Sequence, residues 1–408
     1  MNFEFTKKAK TFTFALMGIG VVLLGLGLAT DHSGHTDQRF WSNLLINAFF
    51  FFGISLGALF YMQLHYATES GWGVVLKRIF EGVMGFLPIG AILILIVVLA
   101  GVFHMHHLYH WMDHDLYHAD SPHYDEIIAN KAPYFFLSNE GGGFPIFFVL
   151  RTVIYLATFL VFWRAFRKRS LEEDLTGGTK IHMKNFKKAA IFLVLFAMFS
   201  SAMSWDWIMS IDTHWFSTLF GWYTFSGIWV TSMVFVLILI LYVKSRGYLK
   251  EVNDSHIHDM GKWVFALSFL WSYLWFSQYM LIWYSDIPEE TFYFKQRMSD
   301  PHYKAIFMSM FAINFILPMV LLMSREAKRV PGILVFVGAI IFVGHWLDLF
   351  MLVTPGTMFD HGGLSILEIG MFLFFLGVFI FYTLQYLTKA PLMVKHHPYL
   401  EESLHHDI

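Results

Sequence analysis

The chain has 408 residues, 57% of them hydrophobic and only 14% charged, with a formal net charge of −2 and a mean hydropathy of +0.55. Soluble domains carry about a quarter charged residues, so this depletion, with the charges gathered in short blocks between long apolar runs, is the pattern of a polytopic membrane protein. The net charge gives no argument for nucleic-acid binding. The absence of cysteine excludes disulfides, thiolate-held iron–sulfur clusters and covalently attached c-type haem.

A bilayer span needs about 20 predominantly apolar residues. Ten such runs follow one another: 12–30, 43–64, 80–103, 143–164, 187–209, 217–243, 262–284, 303–323, 331–353 and 364–387. The expected fold is an all-α integral membrane protein with ten transmembrane helices, in one polytopic domain over 1–408. The first run follows basic residues, as in a signal peptide, but continues to Ala29 without a small-residue cleavage site, which favours a retained helix. The longest gaps are 104–142, acidic and His-rich, and the basic segment 165–186.

With the N-terminus inside, 22 of the 28 Lys and Arg residues fall on the inner side. That leaves Arg39, Lys131, Lys295, Arg297 and Lys304 outside and Arg151 within a helix, so the charge bias predicts that both termini are cytoplasmic. A weak repeat relates the second to fifth runs to the sixth to ninth. The fifth ends Ser204-Trp205-Asp206-Trp207 and the ninth Gly344-His345-Trp346-Leu347-Asp348. Asp206 lies about 27 Å along its helix from Lys188, and Asp348 about 26 Å from Pro331. Two four-helix bundles, about 43–209 and 217–353, flanked by helices 12–30 and 364–387, would account for this.

Ionisable residues inside a bilayer are costly and tend to mark a site or a pathway. Arg151 sits roughly 12 Å below the outer surface, too deep to snorkel easily. It reads as a buried functional group or as half of an ion pair locking two helices. Asp206, Asp348, His345, Gln278 and Glu368 share the outer third of their helices, with Asp212 and His214 just beyond. Read as wet helix ends they mean little; taken together they suggest a proton path or a headgroup site, since burial can bring Asp and His affinities near neutrality. Glu81 follows Lys77 and Arg78 at helical spacing and reads as a surface ion pair, or, turned inward, as the mouth of a proton half-channel. Glu69, Gln63 and His65 lie near the same inner ends.

Of the 21 histidines, His110, His114 and His118 have the i, i+4 spacing of one helical face. They alternate with Asp and Tyr in a solvated loop, so no metal site is expected there. Haem b needs axial ligands from facing helices, and only His345 approaches mid-depth, so no bound haem is expected.

Four segments together resemble one family: Ser204-Trp205-Asp206-Trp207-Ile208-Met209-Ser210-Ile211-Asp212-Thr213-His214-Trp215-Phe216-Ser217-Thr218; Phe276–Tyr284 followed by Ile287-Pro288-Glu289-Glu290; His107–Trp111; and Phe147–Arg151. They are similar to the membrane subunits of alternative complex III, the quinol:cytochrome c oxidoreductase, within the NrfD-like, polysulfide-reductase-type family. Such a complex has two paralogous NrfD-like membrane subunits. Ten helices with a short C-terminal tail most resemble the F-type one rather than its C-type paralogue, over nearly the whole chain.

The resemblance implies a bacterial inner (plasma) membrane. It also implies partners: the paralogous NrfD-like membrane subunit, an iron–sulfur subunit, multihaem and monohaem cytochrome c subunits, and a haem-copper oxidase further on. Haem c and iron–sulfur clusters would then belong to partners, with lipids as neighbours and no cofactor bound by this chain; the working quinol site would belong to the C-type paralogue, and Gln278 and Glu368 mark the vicinity where quinol would contact this chain. The subunit is expected not to be catalytic alone. It would support assembly and proton translocation through Arg151, Asp206, Asp212, His214, His345, Asp348 and Glu81. A secondary transporter and a passive membrane anchor are the rival readings.

Overall fold

The structure, a computed structural model, describes residues 2–31, 34–138 and 140–407. Its described residues are helical apart from loops and one isolated bridge between Asn2 and Pro391. Ten helices exceed 20 residues: α1 Lys7–Thr30, α2 Thr36–Ala67, α3 Val74–Val102, α4 Ile146–Thr176, α5 Lys180–Trp207, α6 Phe220–Ser245, α7 Asp254–Ser285, α8 Pro301–Leu321, α9 Pro331–Met358 and α10 Ile366–Leu387. Among the described residues, nine are long and apolar enough to cross a membrane. The exception is α7, whose 32 residues include Trp263, Trp271, Trp275 and Trp283 with several serines and tyrosines, which lower its apolar character without shortening it. The chain is a multi-pass, all-helical membrane protein.

Two sequence-based boundaries need correction. The basic segment 165–186 is not a connection, because α4 runs on to Thr176 and α5 starts at Lys180. The turn is only Gly177, Gly178 and Thr179, with both glycines at positive φ (64° and 74°), where a side chain would be strained. A 31-residue helix is about 46 Å long, well beyond the roughly 30 Å of hydrocarbon, so α4 carries its last turns past the membrane. Likewise 285–300 is not a plain loop but holds the helix Pro288–Ser299.

Helix α2 is the hub. It packs on α3 and α5, and α4 packs on the same two. In the second half α6 packs on α7 and α9, and α8 packs on the same two. The halves meet where α2 lies on α6, α5 on α6, and α9 on α2. The most apolar stretch of α2 is 94% buried against 17% for α1; α1 is attached mainly through α10. That contact needs glycine: a Cβ on Gly20 would stand 2.4 Å from the Phe374 nitrogen, and one on Gly370 2.5 Å from the Leu24 nitrogen. Small residues let helix backbones approach in membranes.

The two ends of the bundle differ. At the terminal end, the C-terminal segment lies across the helix connections. Ser403 Oγ donates to the Trp72 carbonyl (2.6 Å) and accepts from the Val75 N–H (3.2 Å), and His406 Nε2 meets Asp259 (2.8 Å). At the opposite end, the 104–142 connection folds into short helical turns capped by Trp111 stacked on Phe135 at 3.7 Å.

Candidate functional site

Arg151 of α4 and Asp206 of α5 meet near the end that carries the 104–142 connection. Arg151 donates from Nε to Oδ2 (2.9 Å) and from Nη2 to Oδ1 (2.7 Å), and its Nη1 donates to the Tyr134 carbonyl (2.6 Å). Its cation lies over the rings of Tyr134 (4.0 Å) and Phe147 (4.5 Å). Asp206 is fully buried and takes a third bond from Tyr155 Oη at 3.0 Å. The forked geometry matches guanidinium to carboxylate, so the Asp206 charge has a fixed counter-ion. Next to it, Trp207 is fully buried, and its indole N–H donates to Thr152 (3.0 Å).

Asp348 of α9 sits differently. Its carboxylate accepts from Tyr223 Oη of α6 and from Trp271 Nε1 of α7 (3.0 Å), both neutral donors. His345, one turn earlier, has Nδ1 3.9 Å from Asp348 Oδ2, beyond hydrogen-bond range. Neither His345 ring nitrogen has a hydrogen-bond partner among the described residues, although the side chain is only 3% exposed. Both residues line a cavity of about 30 Å³ shared with Thr224, Thr231, Phe49 and Ile228, room for a water molecule or two.

Asp212, expected beside these, pairs instead with Arg297 (Nη2 to Oδ2, 2.9 Å), which also donates from Nε to the Met351 carbonyl (2.9 Å) and from Nη1 to the Tyr293 carbonyl (3.0 Å). The cause lies in the sequence. Pro355 within α9 has no N–H, so the carbonyl four residues back loses its helical partner, and Arg297 supplies one. His214 lies outside this network, with Nε2 2.6 Å from Asp125 Oδ2 on the connection. Partial burial would raise the Asp125 carboxyl, but the Ile128 N–H and the His214 ring outweigh it and hold it below the ordinary range.

Gln278 and Glu368 are not brought together. Glu368 receives Arg39 (2.7 and 3.1 Å) and Asn43 (3.0 Å) and closes the capping box at the start of α10 with Ser365. Gln278 is buried with its amide nitrogen unpartnered.

Glu81 corrects the surface reading. It is 2% exposed and bound by Arg78, Arg167 and Ser170, while Lys77 pairs with Glu173 (2.8 Å) and Arg78 also with Asp174. Three cations and three carboxylates thus balance in one buried cluster at the terminal end. His65 lines a small cavity there with Lys77, His182 and His397. Burial, with Lys77, His182 and His65 nearby, pushes the His397 ring down to about 2.

Glu173, His182 and His397 place ligand atoms within 4.8 Å of one another and are the described residues best arranged to hold a metal ion. A dication would have to share the carboxylate with the Lys77 ammonium, and the Tyr399 N–H already faces His397 Nδ1 at 3.3 Å. In the His-rich connection, His114 and His118 are 3.0 Å apart through their Nε2 atoms.

Sequence reasoning missed Arg297, Arg39, Glu173 and Asp174, all placed in loops. The available signal for Arg297 was Pro355, which announces a free helical carbonyl. A cleft of about 490 Å³ opens beside the Arg151 pair, walled by Tyr134, Phe135, Trp205 and Trp215, with Asn130, Lys131, Ser210, Thr213, Ser217 and Thr218 among its polar members. Set against models of protein families and against curated proteins, the chain matches none.

Proposed function

We propose that this chain is a membrane subunit of a quinol-oxidising respiratory complex of the alternative complex III type, resembling the F-type of its two NrfD-like subunits, and that it carries protons while partners carry electrons. The membrane is the bacterial inner membrane, all ten long helices span it, and the terminal end faces the cytoplasm. The observation that carries the reading is the pair of buried carboxylates, Asp206 and Asp348, on helices with corresponding neighbours in the two halves of the fold. The first is fixed by Arg151. The second has neutral donors and an unpartnered histidine on a cavity, the arrangement that proton exchange requires. Matching helix neighbours support a parallel repeat of two four-helix bundles. With no cysteine, the iron–sulfur clusters and haem c belong to partner subunits.

The aromatic cleft beside Tyr134 has the volume and the flat walls for a quinol ring, which would put any quinol contact next to Arg151 and Asp206 rather than at Gln278 and Glu368. The transporter reading is less well supported. Paired broken helices in equivalent positions would be expected of it. Among the described residues the irregular helices are α3, interrupted at Gly85–Phe86, α8, with a π-turn at Ala312–Ile316, and α9, with Pro355 inside it; they are the second of one four and the third and fourth of the other. The test is isolation of the tagged chain from its native membrane in mild detergent. Co-purifying c-type haem and iron–sulfur absorption with quinol:cytochrome c activity is the expected result. A chain that isolates alone and colourless, with no such activity in the fraction, would refute it.

A further inference from the structure

Because α1 is held so tightly to α10 through glycine faces, it stands away from α6. Between these three helices, at the terminal end, lies a cleft of about 390 Å³. Its walls are apolar: Phe12 from α1, Ile238 from α6 and Leu384 from α10. Its mouth is not. Lys8, in the first turn of α1, and Arg246, the residue that ends α6, both line the opening, with Tyr242 one turn deeper.

Five other cations at this end are committed elsewhere: Lys77, Arg78 and Arg167 to carboxylates, and Lys244 and Lys328 to backbone carbonyls. No salt bridge joins Lys8 or Arg246 to an acid among the described residues. Thr6 at the same opening accepts from the Ala9 N–H at 3.4 Å, which leaves its own O–H able to donate.

We propose that this cleft binds an anionic phospholipid, with one acyl chain along Phe12, Ile238 and Leu384 and the headgroup phosphate between Lys8 and Arg246. Hydrocarbon would fill such a cleft in any bilayer. Selectivity for a net negative headgroup comes from two cations held at headgroup depth on separate helices, each attracted to anionic lipid. The lipid closes the gap between α1 and α6, and so braces a helix whose protein contacts are nearly all with α10.

The test is native mass spectrometry of the purified full chain, or of the complex it isolates in, after delipidation. Dioleoyl-phosphatidylglycerol and dioleoyl-phosphatidylcholine are then titrated separately. Wild type retains one phosphatidylglycerol with at least roughly tenfold preference over phosphatidylcholine, and Lys8→Gln/Arg246→Gln abolishes the preference while leaving the thermal midpoint without lipid unchanged. Ala9→Trp, which fills the cleft and keeps both charges, loses retention of either lipid. Equal retention of both lipids by wild type would overturn the proposal, as would a double variant that still prefers phosphatidylglycerol, or a co-purifying protein helix in place of lipid. Inorganic phosphate at the same concentration should not compete; if it does, the cations alone form the site and the acyl cleft is irrelevant.

Discussion

Two aspartates in the later halves of apolar helices, Asp206 in the last turn of α5 and Asp348 ten residues before the end of α9, have been given opposite surroundings. Asp206 has a bidentate guanidinium and a phenol and does not itself line the aromatic cleft beside it; Asp348 has a phenol, an indole, and an unpartnered histidine across a small cavity that both line. A buried charge with a fixed partner is a structural bolt, because releasing it would strand two ions in a medium that solvates neither. A buried carboxyl without a counter-ion can change its protonation with far less rearrangement. Similar placement in sequence therefore does not mean similar surroundings, and the neighbouring helix decides which is which.

The largest effect that could break this contrast is on Arg151. Arg151→Leu leaves Asp206 buried without its ion, and should cost about 3–5 kcal/mol of stability, read as loss of folded protein or as a lowered detergent melting temperature. Arg151→Leu/Asp206→Leu should recover much of that loss, because no charge is then stranded. A double variant as unstable as the single one would mean that Arg151 matters for its stacking on Tyr134 and Phe147 and not for its charge.

Arg297→Met should rank next. It frees the Met351 carbonyl and leaves Asp212 without its cation, an expected loss of about 2–4 kcal/mol, of which Pro355→Ala should return the Met351 part by restoring a helical donor. Recovery in that double variant would tie the arginine to the proline; none would sever the link. Tyr223→Phe removes one of two donors from Asp348 and should cost about 1–2 kcal/mol, whereas Tyr155→Phe, with Arg151 still in place, should cost less. The smallest effect is expected at Glu368, where Ser365→Ala weakens only the cap of α10, by about 1 kcal/mol.

The helices were legible because a bilayer imposes long apolar runs, and all ten runs lie on helices of more than 20 residues. Arg151 was legible for the same reason, as a charge in the middle of such a run. What could not be read was pairing. Glu81 looked like a surface partner of Lys77 and Arg78, but the extension of α4 past the apolar run brings Arg167, Ser170 and Glu173 over it, and hydropathy alone does not show where a helix stops. Gln278 and Glu368, with Asp212 and His214 just beyond them, appeared to belong to one cluster, yet Arg297, Asp125 and Arg39 draw Asp212, His214 and Glu368 to different partners. The residues that sort them lie in segments without periodic signal.

Orientation is open to a simple check, since single cysteines can be added to a chain that has none. Those at 175 and 250 should label only from the cytoplasmic side, and those at 120 and 295 only from outside. The reverse pattern would put the Asp348 cavity near the wrong surface for the proposed proton path.

The most direct measurement compares Asp348→Asn with Asp206→Asn in complexes reconstituted into sealed vesicles, following electron flux from quinol and acidification together. Both amides are nearly isosteric with the acid but exchange no proton. The account predicts that Asp348→Asn keeps its haems and much of its electron flux while protons moved per electron fall, and that assembled Asp206→Asn keeps the wild-type ratio. A ratio that falls only in Asp206→Asn, or in neither variant, would contradict it.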